Sequence, residues 1–341
     1  MSLCLYVDGD RWRAHLRAVV DAHPGIVPVA KGNGYGFGVG SLARRGAWLG
    51  ADLMAVGTYD EAGEVLTRFD GDVLVLTPYR PFMQARQDRR LIHTVGRLED
   101  LAALREAAAA HPPAGRPRVL LEGLTAMRRH GLTAEQVRAA DTSGVSVEGL
   151  ALHLPMDGDR VAETTRWLAA GLHDLVFVSH LTDGELATLS ERFGDVRLRP
   201  RIGTALWLGN RAALSARATV LDIHPVAAGD RVGYRQRRVP RRGNLVVVSG
   251  GTAHGIGLEA PTAATSVRSR AVTLARGGLD AAGFALSPFR VDGRQRWFVE
   301  PPQMQVSMLF VPDGTALPTI GAELDLDVRF TTTTFDRVTI S

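Results

Sequence analysis

The stretch 29-VAKGNGYGFGVG-40 decides how the rest of this chain is read. Of the 40 Lys and Arg residues among its 341 positions, Lys31 alone is lysine. Arginine replaces lysine well in ion pairs and phosphate contacts. It cannot shed its proton near neutral pH, so it can neither form an imine nor act as a base. Lys31 ends a β-rich run, 26-IVPVAK-31, and is followed by glycines at 32, 34, 36 and 38 around Tyr35. Glycines let the backbone approach a ligand closely, and a tyrosine hydroxyl can donate to a phosphate. An amine at a strand end beside such a loop suits an imine with pyridoxal 5′-phosphate (PLP). The glycine spacing does not match G-x-G-x-x-G, and there is no P-loop motif.

Working outward, strand-like runs recur at 52–58, 72–78, 91–96, 118–123, 147–154, 175–180 and 196–203. With 26–31 they make eight. Between most of them lie amphipathic patterns such as YDEAGEVLTRF, LEDLAALREAAAA and TDGELATLSERF, the last with Thr182 and Glu185 at capping-box spacing. Eight β/α units predict a (β/α)₈ TIM-like barrel, with a doubly wound sheet as the alternative. From about residue 216 the pattern changes to strands and turns, including RVGYRQRRV (231–239) and ATSVRSRAVTLA (264–275). The expected organisation is therefore α/β plus all-β: a cofactor-binding barrel over 1–215, then a C-terminal β domain over 216–341.

Composition narrows the function classes. Charged residues at 22% and apolar residues at 45% are ordinary for a globular chain, and the formal charge is only +4. The densest basic cluster, 235-RQRRVPRR-242, lacks interleaved aromatics and reads as a solvated edge, so no nucleic-acid partner is expected. One cysteine, Cys4, fits a reducing compartment. The N-terminus turns acidic by residue 8, and no apolar run approaches the ~18–20 residues that span a bilayer. These features predict a cytoplasmic protein with no membrane partner. No metal is expected.

Reactive groups of a barrel collect at the C-terminal ends of its strands. Here those ends carry Lys31, Glu122, His153, the Ser179–Thr182 turn, and Arg201 with Gly203 and Thr204. Singly, each has a bland reading as a satisfied or solvated side chain. Together they are hard to place in a purely structural protein.

At these residues the chain resembles the alanine racemase family, PLP enzymes with a (β/α)₈ barrel and a C-terminal β domain. AKGNGYGFG is similar to the family's PLP-lysine motif. LEGLTAMRRHG (121–131) resembles a segment whose arginine, here Arg129, lies near the cofactor's phenolic oxygen and the substrate carboxylate. GLALHL (149–154) resembles the strand carrying a histidine under the cofactor, here His153. RIGTALWLG (201–209) is similar to Arg-Pro-Gly-Ile-Ala-Leu-Tyr-Gly, which implies Arg201 at the pyridine nitrogen and the Gly203 and Thr204 amides at the phosphate. GDRVGYR (229–235) resembles the segment with a catalytic tyrosine, here Tyr234. QMQVSM (303–308) resembles one whose methionine backbone meets the substrate carboxylate, here Met304. Where the family usually carries a carbamylated lysine this chain has Glu122, expected to hold Arg129 by a charge-assisted hydrogen bond.

The resemblance implies interconversion of L- and D-amino acids, alanine by default, with Lys31 and Tyr234 as the two bases. It also implies a homodimer in which Tyr234 serves the partner's site. Arg201 would be oriented by His153. Unlike a carboxylate, Arg201 cannot protonate the pyridine ring, which favours racemisation over decarboxylation. A decarboxylase or eliminase of the same fold, or a PLP-binding protein with little turnover, are the alternatives. Two departures stand out. SGGTAHGIG (249–257) replaces the family's Gly-Tyr-Ala-Asp-Gly, so His254 either contacts substrate or sits on a surface turn. The family's further tyrosine, a phosphate contact, has no counterpart after 337-RVTIS-341, and Thr182 is expected to compensate at the phosphate.

Overall fold

Residues 2–83, 88–110, 115–258 and 285–341 are described in the computed structural model; the 264–275 strand expectation lies outside them. The chain opens on β1 (Leu3–Val7) and then winds eight parallel strands: β2 (Val27–Pro28), β3 (Leu53–Val56), β4 (Asp72–Val75), β5 (Leu91–Val95), β6 (Arg118–Gly123), β7 (Ser146–Leu152), β8 (Leu175–Val178) and β9 (Arg197–Ile202). Neighbours pair in sequence order from β3 to β9. β9 then pairs with β2, and a Val29–Ala55 bridge links β2 to β3, so the ring closes as a barrel. The doubly wound alternative is excluded by that closure.

The helices are α1 (Gly9–Ala22), α2 (Val39–Trp48), α3 (Tyr59–Leu66), α4 (Leu98–Ala110), α5 (Ala134–Ala139), α6 (Arg160–Ala169), α7 (Asp183–Arg192) and α8 (Thr204–Leu208). Capping boxes start α3 at Thr58/Glu61, α5 at Thr133/Gln136 and α7 at Thr182/Glu185, satisfying amide groups that a helix start leaves unpaired.

Alternation along the strands fills the barrel. Val27, Val29, Leu53, Ala55, Leu74, Ile92, Leu120, Ala151 and Phe177 form one buried cluster. Side chains two residues apart share a face of a strand. Continuing those rows past the apolar layer therefore brings up Lys31, Glu122, His153 and Ser179. On β9 the corresponding row is Arg199 and Arg201, both buried.

The remaining strands are antiparallel except at one edge: β10 (Leu214–Val226), β11 (Arg231–Val232), β12 (Arg237–Arg238), β13 (Gly243–Ser249), β14 (Leu286–Val291), β15 (Arg294–Phe298), β16 (Val306–Pro312), β17 (Glu323–Asp325) and β18 (Arg337–Ile340). The main sheet runs β14-β15-β16-β13-β10-β1-β18, with β17 also on β10. Its core includes Leu3, Val246, Val248, Phe289, Leu309 and Val311. β1 thus belongs to this sheet, antiparallel to β10 and parallel to β18, where the sequence patterning showed no strand.

Contacts divide the chain into one compact unit of 13–34 plus 38–209 and another of 1–12, 35–37 and 210–341. A boundary at 215/216 differs from this grouping at 1–12, 35–37 and 210–215. Phe37 stacks on Trp12 at 4.7 Å, and a Cβ at Gly36 would press on Phe335, which accounts for the excursion at 35–37.

Candidate active site

Lys31 leaves the barrel on a backbone held from three sides. Val29 N donates to Ile202 O, Ala30 N to Ala55 O, and the buried Trp207 Nε1 to Val29 O at 2.7 Å. The Glu61 carboxylate then accepts from Gly32 N at 2.8 Å and from Gly57 N at 2.6 Å. Sequence reading missed Glu61, although its place at the third position of a capping box was a signal. Beyond Lys31 the loop turns on Gly32, Gly34, Gly36 and Gly38, all at positive φ. At Gly34 a Cβ would stand 2.5 Å from Val39 N, so only glycine passes there.

The Lys31 side chain reaches solvent yet is crowded enough that partial burial lowers its pKa, helped by Arg129 and Arg201 and opposed by Glu61. Its amine is thereby brought closer to the neutral, nucleophilic form.

Around it the barrel unit assembles Arg201, His153, Glu122 and Arg129. Arg201 is buried and donates from Nη2 to Leu152 O at 2.9 Å, while its Nε has no partner. Burial, chiefly, lowers its pKa to about 10, which leaves it charged at neutral pH. His153 was expected to orient Arg201, but its Nδ1 shares a hydrogen bond with Ser179 Oγ at 2.8 Å, and the Leu152 carbonyl holds the arginine. Burial, then Arg201, Arg129, His180 and Lys31, depress the His153 pKa to about 3, so the ring is neutral.

Glu122 was expected to grip Arg129. No ion pair joins them: Glu122 is buried, and its Oε2 has no partner. Burial raises its pKa against the pull of Arg201, Arg129 and Arg80. The carboxylate therefore acts on the arginines through space.

His180, inside the Ser179–Thr182 turn, is a further member to which sequence reading gave no role of its own. Its backbone takes φ 62°, unusual for a residue with a Cβ, and its ring lies 5.3 Å from that of His153. Burial, Arg201 and Lys31 lower its pKa. The signal available was its position two residues past the end of β8.

Thr182 caps the helix that follows it. Its hydroxyl accepts from Glu185 N and donates to Glu185 Oε2 at 3.0 Å, and its amide donates to the same oxygen at 2.7 Å, so it is engaged in capping α7. Gly203 precedes α8 with no side-chain cap, and Thr204 is exposed at the helix's first position, where the backbone amide has no intrahelical acceptor. Tyr35 is buried, at φ 55°.

In that other unit, Tyr234 and Met304 line one cleft of about 520 Å³ with Thr252, Glu300 and Gln303. Tyr234 is 84% exposed and Met304 71%. His254 is neither a surface histidine nor available to a substrate. It is buried, with Nδ1 accepting from Gly251 N and Nε2 bonded to Asp336 Oδ1 at 3.2 Å.

Residues 7–178 match the family model described as alanine racemase, N-terminal domain. The chain belongs to the alanine racemase family. Membership brings PLP as the cofactor and amino-acid racemisation as the reaction class.

Solved structures agree on the fold. An alanine racemase from Bartonella henselae with covalently bound pyridoxal phosphate superposes with TM-score 0.71 at 16% identity, over 100% of both chains. The histidine racemase of Leuconostoc mesenteroides subsp. sake gives 0.69 at 17%, over 99% of this chain and 98% of that one. The alanine racemase of Streptomyces lavendulae gives 0.66 at 22%, over 96% and 87%. Curated protein sequences offer no match. Among the described residues no helix is long and apolar enough to cross a membrane.

The barrel residues fit the cofactor. Arg201 Nε is a buried donor without an acceptor, as a site for a ring nitrogen requires, and Lys31 is the chain's one imine-forming side chain.

Proposed function

We propose that this racemase interconverts the enantiomers of a small amino acid, alanine first, with Lys31 and Tyr234 exchanging protons on opposite faces of the substrate Cα. The observation that carries the reading is the lone lysine of the chain, at a strand end, its pKa lowered by burial and by Arg129 and Arg201.

When bound, PLP supplies carbonyl chemistry and a conjugated ring that acidify the Cα–H bond of an attached amino acid. The protein's part is positional and electrostatic. Lys31 would hold the cofactor's aldehyde carbon and, once displaced, take or return a proton at Nζ. Arg201 Nε would donate to the ring nitrogen and stay charged, which favours proton return at Cα over loss of the carboxyl group. The Gly203 and Thr204 amides would face the phosphate. Arg129, with the Met304 backbone, would hold the substrate carboxylate. Glu122 would temper the positive charge of the two arginines without claiming a hydrogen bond from either.

Tyr234 supplies the second proton-transfer oxygen. A phenol left 84% exposed suits delivery to a second copy of the chain, and a homodimer with shared sites is part of the proposal. The mature site would then combine Lys31 of one chain with Tyr234 of the other.

Incubation of the holoenzyme with single L-amino acids in deuterium oxide, followed by chiral analysis, tests the reading. The expected product is racemised and α-deuterated, fastest with alanine, and absent with Lys31→Arg. Carbon dioxide or a keto acid in its place would select a decarboxylase or eliminase. Another preferred amino acid would correct the substrate alone.

A further inference from the structure

We infer that Glu300 positions Tyr234, acting as a buried carboxylate clamp under the tyrosine's turn; this rests on the reading of Tyr234 as a base. Tyr234 lies in the short connection between β11 and β12. With its side chain 84% exposed, its own chain gives the ring little packing to fix its direction, and the backbone of the turn sets where the side chain starts. That backbone rests on Glu300. One carboxylate oxygen, Oε2, accepts from Arg235 N at a long 3.5 Å, and Oε1 accepts from Gln303 Nε2 at 2.9 Å.

Residue 233, on the other side of Tyr234, is a glycine at φ 72°. A Cβ there would collide with the Glu300 carboxylate. The missing side chain is thus the space the carboxylate occupies, and residues 233 and 235 both meet the same group.

The segment carrying Glu300 is itself anchored. Val299 N donates to Met308 O, Gln303 N to Val306 O, Thr252 N to Gln303 O and Ala253 N to Met304 O, all within 3.0 Å. Pro301 and Pro302, which follow Glu300, have no backbone N–H to offer it, so its acceptors turn to a residue 65 positions away in sequence. A carboxylate only 4% exposed is costly unless it is hydrogen-bonded, and its partners here are the Tyr234 turn and Gln303, next to Met304. Glu300 therefore bonds the neighbours of the two cleft residues proposed to meet the substrate, Arg235 beside Tyr234 and Gln303 beside Met304, which the chain places far apart.

Removing the clamp should misplace a proton-transfer group while sparing the barrel. For Glu300→Ala, as full-length holoenzyme, kcat should fall on the order of 10²-fold with KM nearly unchanged, the size of effect a misplaced group produces. The loss should appear in α-proton exchange from one enantiomer only, the one deprotonated by Tyr234, with bound PLP and its absorbance unchanged. Glu300→Gln should restore most of the rate, since its carboxamide oxygen can accept from Arg235 N while the Gln303 amide turns to accept from the new NH₂. Gly233→Ala should reproduce the one-sided loss, and serves if Glu300→Ala fails to fold. Equal losses from both enantiomers, or unchanged exchange from both in Glu300→Ala and Gly233→Ala, would overturn the inference. Tyr234→Phe separates the two levels. If it leaves exchange intact, the base assignment itself is wrong; if it is impaired while the Glu300 and Gly233 variants are not, only the clamp is wrong.

Discussion

Arg199 and Arg201 sit two residues apart on β9, in one row of the same strand, and meet opposite circumstances. At the barrel floor Arg199 donates from Nε to Gly25 O at 2.7 Å and from Nη1 to Asp52 Oδ2 at 3.0 Å, with its guanidinium over the Phe177 ring. At the mouth Arg201 has a single carbonyl acceptor, and its Nε is buried with none. Leaving a buried donor unpaired costs stability. A chain keeps such a group where something absent from the free protein satisfies it. At the floor the guanidinium is bonded into the scaffold; at the mouth it keeps an open donor, the one proposed above to meet the cofactor's ring nitrogen. Glu122, whose Oε2 is also buried and unpartnered, falls on the mouth side of the same division.

The sharpest way to break the comparison is to replace each arginine by leucine. Arg201→Leu should cost racemisation about 10²–10³-fold, as expected for a lost electrostatic donor. Arg199→Leu should leave turnover within a few-fold and lower the unfolding free energy by about 1–3 kcal/mol, because Gly25 O and Asp52 lose their donor. Turnover and urea titrations on both variants check this. A reversed pattern would end the distinction between floor and mouth.

A second, smaller effect is pH-dependent. In the folded protein His153 is neutral down to about pH 3, whereas the unfolded chain takes up a proton below about 6.5. The unfolded state then binds more protons, so this contribution is fully present above pH 6.5 and is lost as pH falls toward 3. His93, buried on β5 and bonded through Nδ1 to Tyr59 Oη, has its pKa lowered to about 4 by burial and adds to the same trend. Urea midpoints measured at pH 7 and pH 5 should fall less in His153→Gln than in the parent. Parallel declines would mean that His153 is not desolvated as the geometry has it.

The smallest effect concerns a residue that is mouth-like in position and floor-like in bonding. Thr182→Ala should cost about 1 kcal/mol through the lost cap of α7 and leave PLP affinity unchanged in a fluorescence titration. A tenfold weaker affinity would return Thr182 to the phosphate.

Much of the architecture was legible because barrels are built from local repetition. Alternating β-rich and amphipathic runs have short-range causes, and all eight strand expectations overlap observed strands within a few residues. The capping box at Thr182 was legible for the same reason, and it was the signal that this hydroxyl was already engaged. β1 was not legible. Leu3–Val7 is five residues long and acquires its character only by pairing with strands more than 200 residues away. His254 was misread because its partner Asp336 lies 82 residues on.

Residue chemistry and spacing alone determined that Lys31 is the one side chain able to form an imine, that the strand ends carry the polar groups, and that barrel precedes β sheet. Those facts depend on side-chain identity and on periods of two and 3.6, which are local properties. Which of those groups are bonded and which are left open was decided only by the tertiary structure. Hydrogen-bond satisfaction and desolvation depend on neighbours brought together from distant parts of the chain, and no local pattern encodes that Arg199 finds Asp52 while Arg201 Nε finds nothing.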